Sequence, residues 1–143
     1  MTTMTDLALT STRTIAAPPA RVFDAWLDAE MLARFMTPMR DMPAPKVSND
    51  PRQGGRFDIV MMAGDKEIPH WGTYEQISPH SRIVFTWNSP FSVEGSTVTL
   101  DFAPDGDGTL VKLTHVKFPS EESRDNHDKG WAHILTCLDQ TLA

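Results

Sequence analysis

Apolar and polar positions alternate along most of this chain. From Leu7 to Ile15, residues Leu7, Leu9, Ser11, Arg13 and Ile15 share one parity and threonines dominate the other, which predicts a strand. Ala16-Ala17-Pro18-Pro19 breaks the pattern. Pro19 suits a first helical turn, where its missing N–H would have no partner in any case. Val22, Phe23, Trp26 and Leu27 then fall at helical spacing, predicting a short helix over 20–27 with one narrow apolar stripe. A second short helix is predicted over 29–35, ended by Pro38. Residues 36–51, with four prolines, read as a loop with a short strand near 46–48.

Beyond Gly54-Gly55 the period of two returns. Strands are predicted over 56–62, with Phe57, Ile59 and Met61 on one side, and over 67–77 after the turn Ala63-Gly64-Asp65-Lys66. Ile83, Phe85 and Trp87 alternate with Val84, Thr86 and Asn88. Two further strands cover 96–102 and 110–117, separated by Asp105-Gly106-Asp107-Gly108. The last places Val111, Leu113 and His115 on one face. A long amphipathic helix follows, with Ser120 as N-cap; Ser123 is too short to complete a capping box. At about 100° per residue, His127, Trp131, Ile134, Leu135, Leu138 and Leu142 share one face. Turns of hairpin length make neighbouring strands antiparallel. The order of one strand, two short helices, a run of strands and a long helix predicts an α+β fold of about six to seven strands.

Composition narrows the function classes. Apolar residues make up 40% of the 143, and the 8 glycines bring this to about 45%, the ordinary globular range. One domain over 1–143 is expected, with a disordered tail at 1–6. Thirteen Lys and Arg stand against 19 Asp and Glu, a net charge of −6, and no basic run exists. A nucleic-acid partner is therefore not expected, nor attraction to an anionic membrane. Cys137 is the sole cysteine, so no internal disulfide or CxxC site can form. The opening MTTMTDLALT lacks the basic and long apolar segments of a signal peptide, and a cytoplasmic location is expected.

The residues also carry a family pattern. Arg13-x-Ile15-x-Ala17-Pro18 is followed by Val22-Phe23-x-Ala25-Trp26, then Asp50-x-Arg52-x-Gly54-Gly55-x-Phe57 and Gly72-x-Tyr74-x-x-Ile77-x-Pro79. Arg82-Ile83-Val84-Phe85-Thr86-Trp87, Gly108-Thr109, Thr114-His115, His127-x-x-Gly130-Trp131 and Leu135-x-x-Leu138 complete it. In order and spacing these resemble the activator of heat-shock-protein ATPase homologue family, within the START-like (SRPBCC, helix-grip) superfamily. The resemblance implies a curved antiparallel sheet gripping the C-terminal helix, with a cavity between them. Members often carry Trp where Phe35 stands, a position expected at the cavity mouth.

Candidate chemistry follows from that frame. The expected cavity wall comprises Phe35, Met39, Phe57, Ile59, Tyr74, Phe85, Trp87, His115, His127 and Trp131. Trp71 and Tyr74 have opposite parity, so only one can face inward, and parity leaves open which. His127 is either a half-buried histidine bonded to a sheet carbonyl or a polar group that orients a guest or moves a proton. His115 is expected at the same end, but two histidines fall short of a zinc site, and no metal or cofactor is expected. Gly130 inside a helix points to close approach of helix and sheet, or room for a ligand. Met31, Met36, Met39, Met42, Met61 and Met62 form either loose packing or an adaptable lid. Asp50, Arg52 and Arg56 read as a surface ion cluster.

The leading expectation is a binding protein for a hydrophobic or aromatic small molecule. A second is an enzyme of cyclase or hydrolase type with His127 as acid or base. A third is a co-chaperone-like interaction module, by analogy of fold. A homodimer joined through the Met-rich loops is compatible with all three.

Overall fold

The computed structural model describes residues 7–143. The expected tail at 1–6 lies outside the described residues. The chain runs β1 (Ala8–Ile15), α1 (Pro19–Ala25), α2 (Ala29–Phe35), β2 (Lys46–Asn49), β3 (Arg56–Ala63), β4 (Lys66–Ser78), β5 (Arg82–Thr86), β6 (Thr97–Asp105), β7 (Gly108–Val116) and α3 (Glu121–Leu142). Seven strands form one antiparallel sheet in the order β1-β7-β6-β5-β4-β3-β2. The hairpin turns impose this order on β2 to β7. The stretch carrying α1 and α2 takes the chain from β1 at one edge to β2 at the other.

Local chemistry sets the helix ends. Asp28 caps α2, its carboxylate accepting from the backbone N–H of Glu30 at 2.9 Å. Ser120 caps α3 through Ser123 N–H at 3.1 Å, and Glu121 and Glu122 favour the positive end of the helix dipole.

One face of the sheet is apolar and meets the helices. Val98, Leu100 and Phe102 of β6 pair across with His115, Leu113 and Val111 of β7, and all six are buried. Trp131, Ile134, Leu135, Leu138 and Leu142 of α3 belong to the same core. Phe23 of α1 meets Phe102 edge to face at 5.7 Å. An Arg13–Asp139 ion pair at 3.1 Å ties β1 to α3, and the other Asp139 oxygen accepts from Ala16 N–H.

The bend in the sheet has a local cause. Tyr74 pairs with Phe85, but Gln76 pairs with Val84, so β4 holds one extra residue. Such a bulge kinks the strand and increases its twist. It also switches parity: Gly72 and Tyr74 are buried on one side of it, while Ile77, three residues beyond Tyr74, packs against the same core. Tyr74 is thereby the inward residue. Trp71 is half-buried on the other face, where its backbone pairs with Asn88.

Candidate functional site

Two unfilled spaces lie between the sheet and the helices, and Trp87 lines both. The inner one is a void of about 10 Å³, bounded by Phe57, Ile59, Tyr74 and Phe85 of the sheet and by Trp26, Leu32 and Met36. That volume holds about one water molecule. The expected cavity is thus filled at this end by its own walls. Phe57 packs on Phe85 at 5.3 Å, on Tyr74 at 5.4 Å and on Trp87 at 6.2 Å between ring centroids. The Tyr74 hydroxyl accepts from Asn49 Nδ2 at 3.1 Å, which ties β4 to β2. Burial raises its pKa above the ordinary value, and the Asn49 bond acts against that shift.

The outer space is a cleft of about 150 Å³. Met61 of β3, His70 of β4 and Trp87 line it from the sheet, and His127, Gly130, Trp131 and Ile134 line it from α3. Pro38 and the exposed Asn126 form its rim. Trp87 and Trp131 meet at 5.0 Å, and His70 lies on Trp87 at 4.9 Å. Two indoles and two imidazoles therefore stand among the otherwise mostly aliphatic walls.

The histidines have distinct roles. His115 is 1% exposed and uses both ring nitrogens. Trp131 Nε1–H donates to its Nδ1 at 3.0 Å, so the proton sits on Nε2, which donates to Ser96 Oγ at 2.7 Å. Burial pushes its pKa down to about 3, with the neighbouring His127 acting in the same direction. His115 thus orients Trp131 and has no lone pair left for a metal or a guest. Among the described residues, no group of three His, Cys, Asp or Glu is arranged to hold a metal ion.

His127 donates from Nδ1 to Ser123 O, one turn back on its own helix, at 2.7 Å. This replaces the sheet carbonyl expected from the sequence. His70 donates from Nδ1 to Ile68 O at 3.1 Å. Burial lowers the His70 pKa to about 4; the Ile68 and Ile59 carbonyls oppose that shift, and His127 adds to it. Trp26 and Trp87 leave their buried indole N–H groups without a partner among the described residues.

Several expectations are corrected. Phe35 is wholly buried against Trp26, at 5.0 Å, so it does not border a cavity mouth. Met39 is 67% exposed and lines neither space. Gly130 relieves contact with a loop rather than the sheet: a Cβ there would lie 3.1 Å from Pro38 Cβ. The ion cluster resolves into Asp50–Arg52, with Arg56 held by Asp58 instead. Of the expected wall, Trp87, His127 and Trp131 meet in the cleft, and His115 supports it from beneath. His70 escapes the sequence reading, although it shares strand parity with Gly72 and Tyr74.

Among the described residues, no helix is long and apolar enough to cross a membrane. Solved structures share this architecture. Protein CV1439 from Chromobacterium violaceum is 23% identical over 94% of this chain and 96% of its own, with a TM-score of 0.81. The AHSA1-like protein from Aeromonas hydrophila is 24% identical, covering 94% and 91%, also at 0.81. Protein Mll3558 from Rhizobium loti is 28% identical over 95% and 96%, at 0.79. No curated protein sequence matches the chain. The model of the family described as Activator of Hsp90 ATPase homolog 1-like protein matches residues 16–143, and the bent seven-stranded sheet closed by α3 is the helix-grip architecture, so the chain belongs to that family.

Proposed function

We propose that this protein binds a small hydrophobic or aromatic molecule in the cleft between Trp87 and α3. The observation that carries the reading is the cleft itself: about 150 Å³, walled by Met61, Trp87, Trp131 and Ile134. Cavities of that size lined by apolar groups take a benzene-sized guest. Convergent polar groups on an otherwise apolar wall are the usual make-up of a small-molecule site. The wider depression of about 520 Å³ beside α1 suits such a guest less well, because exposed Arg21, Asp24 and Asp28 line it.

Titration with toluene and indole, followed by backbone and indole amide shifts in two-dimensional NMR, tests this. Shifts should concentrate at Trp87, Gly130 and Trp131. Gly130→Leu, which fills the cleft from the helix side, should abolish them in a protein still folded by circular dichroism. Absent shifts, or shifts centred on Arg21 and Asp28, would remove the reading.

A second reading is an enzyme using the same cleft, with His127 as acid or base. What favours it is a second imidazole, His70, in the same wall. The co-chaperone reading draws no such support: the exposed large apolar side chains among the described residues are Met39, Phe91 and Leu110, on separate segments.

A further inference from the structure

The two imidazoles in the cleft are arranged alike. Each spends Nδ1 on a backbone carbonyl, Ile68 O for His70 and Ser123 O for His127. A carbonyl oxygen only accepts, so each Nδ1 carries a proton. In the neutral ring Nε2 is then a bare acceptor. Neither Nε2 has a hydrogen-bond partner among the described residues, and neither is fully buried, since the buried side-chain atoms lacking partners are the indole nitrogens of Trp26 and Trp87; both rings line the cleft. The cleft therefore offers two acceptors held in place from behind, on rings that line the same space as the touching indoles of Trp87 and Trp131.

We infer that the guest of this cleft is an uncharged single-ring aromatic carrying a hydroxyl group, a phenol, whose O–H donates to Nε2 of His70 or His127 while the ring lies against the wall formed by Trp87 and Trp131. This deepens the proposed binding function and rests on it. The two indole faces in an apolar wall and the volume select the ring. The acceptors select the donor, because a hydroxyl placed there makes a hydrogen bond that a methyl or methoxy group cannot. A carboxylate is disfavoured: it would bring lone pairs against lone pairs, in a protein of net charge −6. Sites built to hydrogen-bond a guest reject the analogue lacking that group far more strongly than they reject a small change in apolar bulk.

The test compares p-cresol, 4-methylanisole and toluene on the intact protein at pH 7.5. Dissociation constants are read from NMR shifts, and the His70 and His127 ring nitrogens are followed by long-range proton–nitrogen correlation. p-Cresol should bind about tenfold or more tightly than 4-methylanisole, the effect of one well-made hydrogen bond. It should also move the Nε2 resonance of at least one of the two rings. In the double variant His70→Phe and His127→Phe, the preference for p-cresol should fall to near parity. Equal affinity for all three ligands in the wild type would overturn this inference while leaving the binding function intact. Failure of all three to bind would overturn both. The wild-type comparison decides the matter even if the double variant does not fold.

Discussion

Acidification should destabilise this protein through His115 in particular. The ring sits neutral beneath α3, accepting from Trp131 and donating to Ser96, and its pKa is pushed down to about 3 by burial. In the unfolded chain the same side chain titrates near the ordinary value of about 6.5. Above that value neither state is protonated and the full stability is present. Between about 6.5 and 3 the unfolded state holds a proton that the folded state refuses, so stability falls as pH falls. At pH 4.5 the unfolded chain is two units into this window, a loss of about 3 kcal/mol at about 1.4 kcal/mol per unit. That is a large part of the roughly 5–15 kcal/mol that holds a domain together.

His115→Gln isolates the effect. The variant keeps a donor for Ser96 but leaves Trp131 Nε1–H unpaired, so at pH 7 it should be less stable by about 1–3 kcal/mol. Carboxylates common to both proteins cancel in the difference. Urea unfolding followed by far-ultraviolet circular dichroism at pH 7, 5.5 and 4.5 should show the gap closing or reversing, by about 3 kcal/mol in all. A gap that stays constant across this range would refute the reasoning, since it would mean that His115 takes up its proton equally well in both states.

Other outcomes follow from single contacts. Gly72→Ala would drive its Cβ into the Thr86 carbonyl oxygen and to 2.6 Å from the Phe57 ring, so a loss of more than about 3 kcal/mol is expected, read as failed folding or a collapsed melting temperature. Asp28→Ala removes the cap of α2 and should cost about 1 kcal/mol in urea unfolding, with Asp28→Asn largely restoring it. Asp139→Ala should cost more than Arg13→Ala, because Asp139 also accepts from Ala16 N–H; the exposed pair alone is worth less than about 1 kcal/mol. Equal losses for the two variants would show that the backbone bond contributes nothing.

Much of this fold can be read from the residues alone. Period-two alternation located β3, β6 and β7 to within a few positions, and the 3.6-residue stripe located α3 with its buried face. Helix α2 spans the residues expected. These features are local: whether a side chain points to the core follows from strand parity or helix angle, and the sequence carries both. The family pattern of short motifs then narrowed the α+β class to the helix-grip architecture.

The site depended on distances between layers, which no local period encodes. The bulge in β4 bends the sheet and lets both Tyr74 and Ile77 face inward, whereas a regular strand would separate them. Four aromatic walls assigned to one hollow instead close on each other, because favourable ring contacts near 5 Å fill the space left by the bend. His70 belongs to a strand whose inward positions are Ile68, His70, Gly72 and Tyr74, a set too mixed in polarity to stand out. Only the folded chain brings it opposite His127. Which nitrogen each ring presents is decided there too, by which backbone carbonyl lies within reach of Nδ1.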